Sequence, residues 1–138
     1  MKLSVKSDYA TRAVLGLARY YHSGQSVRVE TLASEQSVPP KYLVQILIEL
    51  KAHHIVRSQR GKEGGYLLAR APADISIRDV LHCIHGEVFD SPALTDPRCP
   101  PELKETWLIL REGIERQMQA INFQQLVDRS EKEKMYYI

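Results

Sequence analysis

The chain has 138 residues, 43% of them hydrophobic and 26% charged, with a net charge of +2. A chain of this size buries roughly 68% of the surface that its unfolded form exposes, so one globular core suffices and stability requires neither a disulfide nor a metal. No apolar run approaches the roughly 20 residues that span a bilayer, and the opening MKLSVKSDYATRAV has charges where an export signal needs an apolar core. A cytoplasmic location without membrane attachment is therefore expected, with Cys83 and Cys99 as free thiols. The charge is unevenly spread: residues 1–70 hold 11 Lys and Arg against 5 Asp and Glu, residues 71–138 hold 8 against 12. A basic first half beside an acidic second half suggests that one end meets a polyanion and the other meets protein.

In chain order, residues 7–21 carry Tyr9, Ala10, Ala13, Val14, Leu17 and Tyr21 at three- and four-residue steps, one face of a helix. Ser7 reads as its amino-terminal cap and Gly24 lies just past its end. Arg12 and Arg19 share one side, either as phosphate contacts or as an ordinary solvated cationic face. Residues 29–37 read as a short helix with Leu32 and Ala33 inward. Ser37-Val38-Pro39-Pro40 then forces a turn, because proline fixes φ and restricts the residue before it, while Pro40 at a helix start costs nothing. A second helix over 40–53 buries Leu43, Ile46, Leu47 and Leu50 and presents Lys41, Tyr42, Val44, Gln45 and Glu49.

Residues 55–59 and 66–70 are short β-prone runs, and Arg60-Gly61-Lys62-Glu63-Gly64-Gly65 between them supplies residues that tolerate positive φ at a hairpin tip. Two helices, a proline turn and a basic hairpin in this order describe a winged helix-turn-helix. In such a unit the second helix enters the major groove. Gln45 can pair with adenine, Lys41 can reach guanine or phosphate, and Val44 can touch a thymine methyl. Arg60 and Lys62 suit a backbone or a narrow minor groove. The competing reading is a winged helix used for protein assembly without specific DNA binding. An enzyme is not supported: there is no nucleophile and base pair, no metalloprotease spacing, and the glycines at 61, 64 and 65 precede a strand instead of a helix.

Downstream, Ser76 can cap a helix through Val80, Leu81, Cys83 and Ile84 to Gly86, with Asp79 near the positive end of its dipole. Residues 87–101 contain Pro92, Pro97, Pro100 and Pro101 with little periodicity and read as a loop. From 102 a long helix sets Leu103, Trp107, Leu110, Ile114, Met118 and Ile121 near heptad spacing, a seam expected to pair with its copy in a homodimer. The alternative is packing against its own domain. Asn122 and Gln125 form a capping pair for a last short helix carrying Phe123, Leu126 and Val127, and the tail SEKEKMYYI docks or frays. The expected fold class is mainly α with a small β-wing. Its divisions are a winged helix-turn-helix over 1–86, a proline-rich sensor-type loop over 87–101, and dimerisation and final helices over 102–138.

The opening KLSVKSDYATRAVLGLA, the PPKYL helix entry and the RGKEGGYLLAR wing, all within residues 1–86, resemble the Rrf-type bacterial winged-helix transcription regulators. The resemblance implies a homodimer that binds an operator of two half-sites in double-stranded DNA, usually as a repressor. By position it matches Lys41, Tyr42, Val44 and Gln45 to the recognition helix and Ser58, Arg60 and Gly61 to the wing.

Cluster-binding members of that family place three cysteines, often with a histidine, in the loop that here spans 87–101 and its junction with the long helix. This chain has Cys99 alone there and no histidine after His85. One thiolate does not hold an iron–sulfur cluster, which ordinarily takes four ligands, so a cluster is disfavoured even with a carboxylate such as Asp8 or a partner subunit contributing. No cofactor is predicted. His82, Cys83 and His85 with Cys99 offer soft ligands for zinc or copper, and the two thiols a regulatory disulfide. Against that, Cys83 suits the inner face of its helix as a small hydrophobe, which leaves Cys99 as the better redox candidate. A small-molecule effector or a partner protein acting at the dimer region is the remaining source of control.

Overall fold

The helix α1 (Val5–Tyr20) is the post around which the chain packs, and its composition explains why. Its buried face is Ser7, Ala10, Ala13, Val14, Gly16, Leu17 and Ala18, mostly small residues that let neighbouring backbones come close. In the computed structural model, which describes residues 2–136, it contacts α2 (Val29–Gln36), α3 (Pro40–Ala52), α4 (Ile77–Ile84), α6 (Phe123–Tyr136) and strand β2 (Gly65–Leu68). The cap of α1 is Ser4, whose hydroxyl accepts from the Ser7 N–H at 3.1 Å, and not Ser7, which is fully buried one turn inside. The apolar periodicity misses this first turn because Val5 is solvent-exposed. Beyond Tyr20 the chain makes one 3-10 turn before Gly24 takes the left-handed conformation, φ 71°.

The helix-turn-helix forms as its residues dictate. α2 ends at Ser37, itself left-handed at φ 54°, and Pro40 opens α3 at its first position. Leu32, Ala33, Leu43, Ile46, Leu47 and Leu50 are all buried. The wing is an antiparallel pair, β1 (Val56–Gln59) with β2, in the register Val56↔Leu68 to Gln59↔Gly65. A contact that the local pattern does not announce extends it: Val27 pairs with Tyr66 through hydrogen bonds of 2.9 and 2.8 Å.

A capping box starts α4, with the Ser76 hydroxyl accepting from the Asp79 N–H and the Asp79 carboxylate from the Ser76 N–H. The loop contains one 3-10 turn, Pro92–Leu94, before α5 (Pro101–Ala120). Asn122 and Gln125 cap α6 reciprocally as expected, but the helix is not short: 14 residues carry it through the charged tail to Tyr136. Tyr137 and Ile138, the end of the aromatic tail, lie outside the described residues.

The carboxy-terminal part is no separate unit of packing. Phe123 is fully buried and, with Val127, belongs to the same core as α1 and α3. A backbone bridge between Ser76 and Asn122, with Ile77 N–H to Ile121 O at 2.9 Å and Phe123 N–H to Ile75 O at 3.1 Å, ties α6 to the entry of α4. The last helix thus shares the core of residues 1–86 and supplies one of its largest side chains.

Candidate nucleic-acid interface

Four turns of α3 point their apolar side into the core, which turns Lys41, Tyr42, Val44, Gln45 and Ile48 to solvent. Lys41, Gln45 and Ile48 follow one another at steps of four and three, so they form the central stripe of that face. Neither Lys41 nor Gln45 has a side-chain partner among the described residues. Ile48, half-exposed at the end of that stripe, escapes the sequence reading; its position one heptad after Lys41 is the signal that finds it. Tyr42 stands at the edge, its ring 6.2 Å from that of Tyr9. Glu49 is not a free outward residue, being paired with Lys6 at 2.6 Å. Arg12 is engaged too, bridged to Asp8 at 2.9 Å and stacked over Tyr9, while Arg19 faces Ser130 of α6.

The wing exposes Ser58, Arg60, Gly61 and Lys62, together with Arg57. Lys51, near the end of α3, donates to the Ser58 hydroxyl at 2.7 Å, joining helix to strand. Arg28 donates to the Lys62 carbonyl at 2.7 Å, and the Ser26 hydroxyl to the Glu63 carbonyl. The tip is thus clamped by the segment that precedes α2. Only one of its glycines has the positive φ expected of a hairpin tip, Gly61 at 107°. Gly65 is required for another reason: a Cβ there would stand 2.3 Å from the Val27 carbonyl oxygen, where that segment crosses the wing.

The residues proposed for sensing are dispersed. The Cys83 thiol is 3.6 Å from the Glu49 carbonyl oxygen; burial and then the Glu49 carboxylate push it up to about 11, against the opposing pull of Lys6. At neutral pH it is a protonated, half-buried thiol, which fits its role as a packing residue. His82 is committed to α5, with Nε2 2.9 Å from Glu115 Oε1, and Arg78 Nε donates to the other oxygen of Glu115 at 2.5 Å. Burial acts to raise the Glu115 carboxyl, but the hydrogen bonds and charges of Arg78 and His82 outweigh it and hold the group below its ordinary range. His85 is exposed at the end of α4 and Cys99 lies in the loop. Among the described residues no three His, Cys, Asp or Glu converge as metal ligands, so the suggested set His82, Cys83, His85 and Cys99 is not assembled within this protomer.

The predicted seam of α5 splits as well. Leu103, Leu110 and Ile121 are exposed, whereas Trp107 and Ile114 are half-buried and Met118 is buried within the protomer. Leu108 and Ile109, outside the heptad pattern, are exposed beside Leu110.

A helix with a free polar stripe, a proline-led turn before it and a clamped basic hairpin after it define a winged helix-turn-helix protein of the transcription-regulator class. Residues 3–129 match the family model of Rrf2, described as an iron-dependent transcriptional regulator, and the chain belongs to that family. The family is one of regulators and not of enzymes. An HTH-type transcriptional regulator of Mycobacterium tuberculosis is 50% identical over 86 residues, covering 62% of this chain and 53% of that protein, so the chain spans about half the length of such curated relatives. Among solved structures, T. potens IscR is 27% identical with a TM-score of 0.80 over 99% of this chain and 97% of its own. CymR, the global cysteine regulator of B. subtilis, shares the fold at 23% identity and a TM-score of 0.83, over 94% and 98% of the two chains. The family description implies iron, but the donors here do not fit a cluster: Cys99 is the only cysteine in the 87–101 loop, and no set of three ligands converges among the described residues. No helix among the described residues is long and apolar enough to cross a membrane.

Proposed function

We propose that the chain acts in the cytoplasm as a homodimeric repressor that reads a two-half-site operator with α3 and the wing of each copy. The observation that carries this reading is the unpartnered stripe Lys41, Gln45 and Ile48 on a helix joined by Lys51 to a basic wing. Gln45 offers paired hydrogen bonds to adenine and Lys41 a guanine or phosphate contact, while Val44 and Ile48 supply apolar contact to thymine methyls. Tyr42 lies at the edge of the groove-facing surface. Arg60 and Lys62, held out by Gly61, follow the backbone or enter the minor groove, and Ser58 fixes β1 against α3 while facing the same side.

The exposed ridge of α5, with Leu103, Leu110 and Ile121, joins the two copies, while Trp107, Ile114 and Met118 seat the helix on its own head. Control enters downstream of the reading head, through a redox, metal, small-molecule or protein signal acting between α4 and α5, with Cys99 as the thiol of the connecting loop. No resident cluster is required.

The test is binding of the reduced protein to fragments of its own genome. Protection of two half-sites in successive major grooves is expected, with affinity falling steeply as salt rises. Gln45→Ala should cost about 1–3 kcal/mol and relax preference at one base pair, whereas Arg60→Ala should weaken all sequences alike and reduce the salt slope by about 1. No preference for any fragment would sink the proposal.

A further inference from the structure

Away from the DNA-reading surface, residues 85–91 leave the end of α4 and fold against α5, forming a cleft of about 540 Å³. Its apolar wall is Phe89 and Trp107, with ring centroids 6.2 Å apart and planes inclined by 40°. Its polar rim is His85, Glu87 and Asp90. Glu87 is paired with Arg111 of α5, so its charge is already met. Asp90 has no ion-pair partner among the described residues, which leaves one uncompensated negative charge on the rim of a cleft walled by two aromatic rings.

That combination selects for charge and shape. The faces of Trp and Phe attract a cation lying within about 6 Å of the ring centroid and also accept its alkyl substituents. An anion would meet Asp90 unpaired. A divalent metal ion would lack ligands, because no three His, Cys, Asp or Glu converge there among the described residues. We propose that this cleft binds a small alkylammonium group, and that its occupancy is a signal delivered to α5. The binding stands on the cleft alone; the signalling rests on the regulator reading above. The mechanical link is short. Trp107 and Arg111 are successive residues on one face of α5, so a ligand that parts Phe89 from Trp107 or shifts the Glu87 loop bears directly on the helix carrying the exposed ridge.

Trp107 is the only tryptophan in the chain, so intrinsic fluorescence reports on the cleft. The full chain is titrated with choline, with 3,3-dimethylbutan-1-ol as the neutral isostere, and with sodium chloride at matched ionic strength. A saturable change with choline is expected, about tenfold weaker for the alcohol and for Asp90→Asn. Choline should also change the affinity for a bound genomic fragment in the native chain and not in Asp90→Asn. Absence of a saturable response, or equal responses to choline and the alcohol or in the two proteins, overturns the cleft. A selective response with unchanged DNA affinity overturns the signalling. A protein that responds selectively to choline yet binds no DNA keeps the site, defeats the regulator reading, and removes the signalling with it.

Discussion

Gly65 does not lie in the left-handed region of backbone space; what reserves its position for glycine is the carbonyl of Val27, which approaches to 2.3 Å of where a Cβ would stand. Gly65→Ala must therefore push apart the Val27–Tyr66 pair or distort β2. A destabilisation of about 1–3 kcal/mol is expected from such overpacking. Thermal unfolding checks it, and a band shift should show DNA affinity falling with the misplaced wing; an unchanged melting temperature would mean that the clamp is slack. The glycines of the tip are plain in the sequence, and Gly61 does what local turn chemistry says. The reason for Gly65 lies in a strand segment 38 residues earlier, which no local pattern can show. Cys83 follows the same logic. Its place on the inner face of α4 is readable from periodicity, but the burial that chiefly raises its thiol, and after it the opposing Glu49 and Lys6 charges, come from segments far away in the chain.

Among the elements, the junction of α4 with α5 is held by Arg78 and His82 on Glu115. Because the Glu115 carboxyl lies below its ordinary value, its contribution is fully present above the unfolded carboxylate range and is lost as pH falls through the depressed folded value. The native chain should accordingly be more stable than Glu115→Gln at neutral pH. The gap should close on acidification below about pH 4.3, the ordinary glutamate value. Chemical denaturation of both proteins from pH 7 to 3 checks the sign; a gap that grows toward acid would refute it. The sequence shows His82 as a candidate metal ligand because it stands beside Cys83. Adjacent helical residues point in different directions, however, and the partner of His82 is a carboxylate on the next helix. The same geometry divides the α5 stripe, because six apolar positions at three- and four-residue steps do not say which edge of the stripe meets the protomer's own head.

For the whole molecule, the proposed homodimer makes the exposed ridge of α5 the element on which engagement of DNA by one or two heads depends. Ile109→Glu with Leu110→Glu should leave the fold intact, since both side chains are exposed in the protomer, and should give a monomer by sedimentation. Loss of the second head should weaken operator binding by roughly a hundredfold or more, the usual scale of avidity lost when linked sites are separated. Met118→Glu is the contrasting control: it buries a charge and should unfold the protomer before it affects assembly. A double variant that remains dimeric would move the interface elsewhere.

The sequence by itself determined the order of elements, the inward faces of α1 and α3, the proline-led turn, the reciprocal Asn122–Gln125 cap and the basic wing. Each rests on helical or strand period, on proline and glycine chemistry, or on caps that act within a few residues. Tertiary structure alone decided that Phe123 completes the core of the head, that Val27 braces the wing, and that Met118 faces inward. It also set His82 against Glu115 and Phe89 against Trp107. The physical reason is that burial, charge pairing and steric exclusion depend on which distant segments the fold brings within a few ångströms, and sequence spacing carries no record of that distance.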